Sequence, residues 1–157
     1  MLNMSGDRIG EPISGNLAVC AFVSSSHLFK KVEENDLALI YESGRLQKFT
    51  AGQAIINEGD CGQEFFLLMS GSVKVITTGK QGPVELAQLS RGAYFGEVSL
   101  LTGRPRTATV VAIDQVEVIS ILNSDMDGIL RRYPKVRKLM QAVVEGRVKA
   151  TIEKAHC

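Results

Sequence analysis

Three regimes of hydrophobic patterning follow one another along the chain. From His27 to Gly44 apolar residues recur at helical spacing: Leu28, Phe29 and Val32 share a face, Leu37, Ile40 and Tyr41 continue it, and Gly44 stands where a glycine ends a helix. Between Leu46 and Leu122 the segments shorten. LQKF, EFFLLM, SVKVIT, VELAQL, TATVVAI and VEVISIL are separated by glycines at 52, 59, 62, 71, 79, 82, 92, 96 and 103. Short stretches rich in Val, Ile, Phe and Thr with frequent turn signals predict a β sandwich or barrel. Asn57-Glu58-Gly59-Asp60, Ser70-Gly71-Ser72 and Gly79–Gly82 have turn composition, and a hairpin bend is expected at each. After Leu122 the helical period returns. Asn123 or Ser124 can cap a helix running to Tyr133, and Pro134 is suited to open a second one. In that second helix Val136, Leu139, Met140, Val143, Val144, Val148 and Ile152 form an apolar stripe. Lys135, Arg137, Lys138, Glu145, Lys149 and Glu153 occupy the opposite face, and Gly146 weakens the helix without breaking it.

The pattern therefore predicts one domain, mainly β with flanking helices. An antiparallel β-roll or jelly-roll barrel is expected over about 46–122, with a helix before it and C-terminal helices over about 124–155. Residues 1–26 mix Gly, Ser, Asn and Pro with one short apolar patch and are expected to be disordered or loosely packed, leaving 27–157 as the domain proper.

Composition narrows the classes of function. An apolar fraction of 45% in 157 residues is enough for a real core. A net charge of +1 argues against a dedicated nucleic-acid surface. No apolar run approaches the roughly 18 residues that a membrane helix needs, so no membrane partner is expected. LAVCAFV at 17–23 is short and follows Asp7 and Glu11, a poor fit to a signal peptide. Cys20, Cys61 and Cys157 are widely spaced and read as free thiols in a reducing cytoplasm. With His27 and His156 as the two histidines, no metal cluster and no cofactor is expected.

The most informative stretch is FGEVSLLTGRPRTATV, residues 95–110. Tyr94-Phe95 ends a strand, Gly96 permits a sharp turn, and Glu97 to Thr102 is one or two turns of helix whose first N–H groups lack intrahelical partners. Pro105 forces the chain out of the helix, so Arg106 can return toward the helix start while Thr107-Ala108-Thr109-Val110 runs on as a strand. A guanidinium beside backbone N–H groups holds a phosphate with fixed orientation. A carboxylate in the same pocket fits if it faces a donor on that ligand, such as a ribose hydroxyl. A 3′,5′-cyclic nucleotide has both features. Plainer uses stay open at this point: Glu97 favouring the helix start and pairing with Arg106, and Gly96 and Gly103 as turn glycines.

The run from Gly92 to Val110, G-x-x-F-G-E-V-S-L-L-T-G-R-P-R-T-A-T-V, resembles the phosphate-binding cassette of the cyclic nucleotide-binding domain family, which includes protein kinase A regulatory subunits, the catabolite activator protein and cyclic nucleotide-gated channels. E-G-D at 58–60 and F-L-L-M-S-G-S-V-K-V at 66–75 resemble its early strands, and the likeness covers roughly 27–155. The resemblance implies that Glu97 accepts the ribose 2′-hydroxyl, that Arg106 pairs with the cyclic phosphate, and that Gly96, Val98 and Ser99 offer backbone N–H groups. Thr107, followed by Ala108, would place its hydroxyl near the phosphate or a guanine amino group, and Leu86 and Val73 would line the base.

The same resemblance makes the helix at 135–155 a lid or relay; packing in the core and a homodimer or effector contact through Val136, Leu139, Met140 and Val143 are its other uses. The expected activity is regulatory binding of cAMP or cGMP, cAMP being favoured, by a cytoplasmic sensor. Phosphodiesterase chemistry would need metal ligands or a positioned base that two distant histidines do not provide. The alternative is an interaction module of the same fold with an unused pocket. The chain ends at Cys157, so a winged helix-turn-helix segment or an attached kinase, channel or cyclase segment is not expected within it.

Overall fold

The structure is a computed structural model that describes residues 8–155, with side chains through Arg147. Met1–Asp7, and the side chains of Val148 and Ile152 assigned above to the apolar stripe, lie outside the described residues.

Two antiparallel sheets form a β-roll. The first contains β1 (Glu11–Pro12), β2 (Arg45–Phe49), β4 (Glu64–Ser70), β7 (Tyr94–Phe95) and β9 (Val116–Leu122), in the order β1-β2-β9-β4-β7. The second contains β3 (Ala54–Ile56), β5 (Val73–Gly79), β6 (Gly82–Leu89) and β8 (Thr109–Ala112), in the order β3-β8-β5-β6. The continuous apolar run EFFLLM is explained by burial on both faces of the first sheet. Successive side chains on a strand point to opposite faces, so Phe66 and Leu68 join Val73, Val75, Val110 and Val118 inside the roll. Phe65 and Leu67 face the other way, into a second core made with the helices.

Among the described residues five helices complete the domain: α1 (Leu17–Ser25), α2 (Glu34–Ser43), α3 (Glu97–Thr102), α4 (Asn123–Arg132) and α5 (Pro134–Ala155). Pro134 opens α5 as expected. Val136 and Met140 of its apolar stripe are buried in the helical core of this same chain, so they are not free to form a contact between copies; Leu139 stays 37% exposed. Among the described residues no helix is long and apolar enough to cross a membrane.

Several local expectations are corrected. Residues 8–26 are built into the fold, not loose: β1 pairs with β2, Asn16 caps α1 by accepting from the Val19 amide at 3.2 Å, and Ile13, Val19 and Val23 are buried. The helix expected from His27 starts only at Glu34. Before it the Ser26 carbonyl accepts from the amides of both Phe29 and Lys30, which winds this segment into turns, and Glu33 is extended. Of the three expected hairpins only Gly79–Gly82 is one, joining β5 to β6 with Gly79 opposite Gly82. The turns at 57–60 and 70–72 each carry the chain from one sheet to the other. Asn123 begins α4 without capping it; its side-chain Nδ2 donates instead to the Gly62 carbonyl at 3.3 Å.

Candidate functional site

Phe95 and Tyr94 pair with Phe66 and Leu67 of β4, which fixes where the next turn starts. Gly96 then takes a φ of +88°, a conformation that side chains rarely adopt, and α3 begins at Glu97. After α3 the chain emerges along Arg104 and Pro105, and Arg106 is clamped by its backbone: its amide donates to the Asp60 carbonyl at 2.8 Å and its carbonyl accepts from the Gly59 amide at 2.9 Å. The turn at 57–60 therefore serves the site.

The Arg106 side chain returns to the start of α3, as the sequence predicts. Nη1 donates to the Gly96 carbonyl at 3.3 Å and Nη2 to the Glu64 carbonyl at 2.8 Å, and the guanidinium stands 5.9 Å from the Phe66 ring centroid. It lies so close over Gly62 that a Cβ there would overlap it. Burial pulls its pKa down, opposed by the charges of Glu64, Glu97 and Asp60.

Glu97 is 1% exposed, and the simple Glu97–Arg106 salt bridge is not formed. Its partner is Arg147 on α5, whose Nη1 donates to Glu97 Oε1 at 2.5 Å while Nη2 donates to the Tyr94 carbonyl at 2.7 Å. The second carboxylate oxygen, Oε2, is buried with no hydrogen-bond partner, and so is the Ser99 hydroxyl. Such groups are costly to leave unmatched in a protein interior. Burial raises the pKa of Glu97, and the charges of Arg147 and Arg106 offset this only in part. Nearby, Tyr94 is pushed up to about 12 by burial and by the Glu97 charge.

This has a measurable consequence. The folded-state pKa of Glu97 lies above the ordinary 4.5, so the folded form takes up the proton first as pH falls. The cost of burying the carboxylate is therefore relieved from the raised value down to the ordinary one. In urea titrations across that window the native protein should gain stability relative to Glu97→Gln as the solution is acidified. Parallel curves for the two proteins would show that Glu97 does not titrate in this way.

Gly96, Glu97, Val98, Ser99, Arg106, Thr107, Ala108 and Leu86 all line one cavity of about 260 Å³. Val73 does not. It is fully buried inside the roll, opposite Leu89 and Ala112, one rung beyond the cavity; Val75, opposite Ala87 and Val110, takes its place in the wall. The sequence reading also missed Gly146 and Arg147, which close the cavity from α5. A signal was present: Arg147 follows Met140 by two helical turns, which puts a cation on the apolar stripe.

A guanidinium, a free carboxylate oxygen and an unpartnered hydroxyl thus meet in a cavity with apolar walls. A family model described as the cyclic nucleotide-binding domain matches residues 46–133, which include every residue of the cavity wall except those from α5. The chain belongs to the cyclic nucleotide-binding domain family. It is 38% identical over 126 residues to a cAMP-dependent protein kinase regulatory subunit of Mycosarcoma maydis, covering 73% of this chain and 24% of that protein. It is 36% identical over 118 residues to the cyclic AMP receptor protein of Thermus thermophilus, covering 74% of this chain and 54% of that one. This cyclic nucleotide-binding domain thus spans about a quarter to about half the length of these curated relatives. Among solved structures, the regulatory domain of Toxoplasma gondii PKA crystallised with cAMP shares the fold, with a TM-score of 0.74 at 23% identity over 83% of this chain and 49% of that one.

Proposed function

We propose that the cavity binds a 3′,5′-cyclic nucleotide, cAMP in preference to cGMP, and that the domain reports its occupancy through α5. The observation that carries this reading is Glu97 Oε2, a buried carboxylate oxygen without a partner in the same cavity as Arg106. A ribose 2′-hydroxyl donating to Oε2 would satisfy it without displacing Arg147 from Oε1. The cyclic phosphate would lie between Arg106 and the amides that open α3, with the base against Leu86, Val75 and Ile56. The preference for cAMP draws on the relatives named for it. Thr107, exposed at the cavity wall, is the residue that would reach a guanine amino group. The reading is one of binding, with no bond made or broken and no cofactor.

Isothermal titration calorimetry with cAMP, cGMP and 2′-deoxy-cAMP tests it. Saturable binding is expected for cAMP, tighter than for cGMP. The 2′-deoxy ligand should bind ~1–3 kcal/mol more weakly, because it leaves the buried oxygen unmatched, and Glu97→Gln should narrow that gap. If the folded, nucleotide-free protein bound neither natural ligand, the unused-pocket interaction module would replace this reading.

The relay has a defined contact. Arg147 fastens α5 to the carboxylate that receives the ribose, so ligand and helix share one residue. By linkage, whatever the ligand contributes to the position of α5, that position returns to ligand affinity, typically ~1–3 kcal/mol. Hydrogen exchange along 134–147 should slow on saturation with cAMP in the native protein. The same ligand should slow it markedly less in Arg147→Ala; equal slowing would remove Arg147 from the relay.

A further inference from the structure

Basic residues are concentrated at one place away from the nucleotide cavity. The chain as a whole has a net charge of only +1, yet Lys30 and Lys31, from the turns before α2, and Lys135 and Lys138, from the first turns of α5, stand around a cleft of about 420 Å³. All four are exposed, and among the described residues none is ion-paired. Among the described residues no Asp or Glu lines the cleft. Between the lysines the floor is apolar, made by Leu28 and Val136, which are buried at its base, and by Leu139, which is 37% exposed. The cleft has no lining residue in common with the nucleotide cavity.

Four unneutralised ammonium groups around one opening favour an anionic occupant. A small inorganic anion would satisfy the rim and leave the floor in water, whereas an occupant with apolar side chains covers both. A second copy of this chain docked face to face would set the lysines against themselves. A flat lipid surface would meet the rim and miss the recessed floor. Nucleic acid would find no planar arginine fork among the lining residues, and of aromatic rings there only the imidazole of His27.

We infer that this cleft docks a short acidic, amphipathic segment of a partner protein, with its apolar side chains on Leu139 and the floor beside it and its Asp or Glu side chains against Lys30, Lys31, Lys135 and Lys138. The inference does not depend on the nucleotide reading, since the two sites have separate walls.

A displayed library of random linear peptides, selected on the full chain and counter-selected on Lys135→Glu/Lys138→Glu, tests it; these side chains are exposed, so the variant is expected to fold. The expected result is enrichment of sequences in which Leu, Phe or Met is flanked by Asp and Glu. The best of these peptides, labelled with fluorescein, should bind at least about tenfold more weakly to the double variant and to Leu139→Asp, and should weaken with added salt. Affinity for the peptide should be unchanged in Lys48→Glu, which reverses the charge of an exposed lysine on β2 outside both cavities. Failure to enrich, enrichment of neutral or basic sequences, or equal binding to the variants would each overturn the proposal. So would two other results: self-association in analytical ultracentrifugation that Leu139→Asp abolishes, which assigns the cleft to a second copy, or lysine-dependent flotation with phosphatidylserine vesicles without peptide enrichment, which assigns it to a membrane.

Discussion

Arg106→Ala is expected to weaken cyclic nucleotide binding by ~2–5 kcal/mol while leaving the domain folded, because it leaves a desolvated phosphate without its charged partner. Arg106 is 7% exposed and its guanidinium is held by two backbone carbonyls, those of Gly96 and Glu64, with no direct ion pair to a carboxylate among the described residues. Its charge is therefore not matched by a carboxylate at contact distance, and the two carbonyls fix its orientation. Arg106→Lys should also lose affinity: an ammonium cannot bridge the two carbonyls and face a phosphate with the same planar geometry. Calorimetric titration of both variants with cAMP, beside urea unfolding of each, separates lost binding from lost folding. Unchanged affinity in both would move the phosphate away from Arg106.

Gly62→Ala is expected to produce a loss of the same kind from outside the cavity. Gly62 is not among the cavity's lining residues, but the Arg106 guanidinium lies directly over it, and a Cβ at that position would overlap the side chain. The φ of Gly62 is not positive, so alanine meets no backbone penalty and the variant tests the space alone. Either the guanidinium or the loop must shift, a change that typically costs ~1–3 kcal/mol and should appear as lost cAMP affinity. The decisive comparison is the double variant. If Gly62 acts through Arg106, Gly62→Ala/Arg106→Ala should bind cAMP no more weakly than Arg106→Ala. Additive losses would give Gly62 a separate role.

The contrast between Arg106 and Arg147 shows how far the site could be read from the sequence. Arg106 lies nine residues after Glu97, separated from it by a short helix, a glycine and a proline, with a second glycine just before Glu97. Each of these restricts the backbone locally, so the return of the side chain to the helix start follows from the stretch itself. Arg147 is fifty positions from Glu97, and nothing local to either residue connects them. Their meeting depends on how α4 and α5 pack after the last strand. The base wall repeats the lesson on a smaller scale. Val73 and Val75 share one face of β5, so alternation cannot choose between them; the register with β6 and β8 does.

By itself the sequence determined what short-range physics controls: the strands between glycines, α3 with its flanking turns, the opening of α5 at Pro134, and the return of Arg106 to the start of α3 beside Glu97, with the family that carries this stretch. Tertiary structure decided what depends on distant segments packing together. It ordered residues 8–26 by supplying a strand partner and a core for Ile13, Val19 and Val23. It turned two expected hairpins into crossings between sheets. It also gave Glu97 to Arg147 and left one carboxylate oxygen unpartnered. The physical reason is one of range. Backbone sterics act over a few residues and are written in adjacent letters, whereas burial and charge pairing depend on which surfaces meet after the chain has folded.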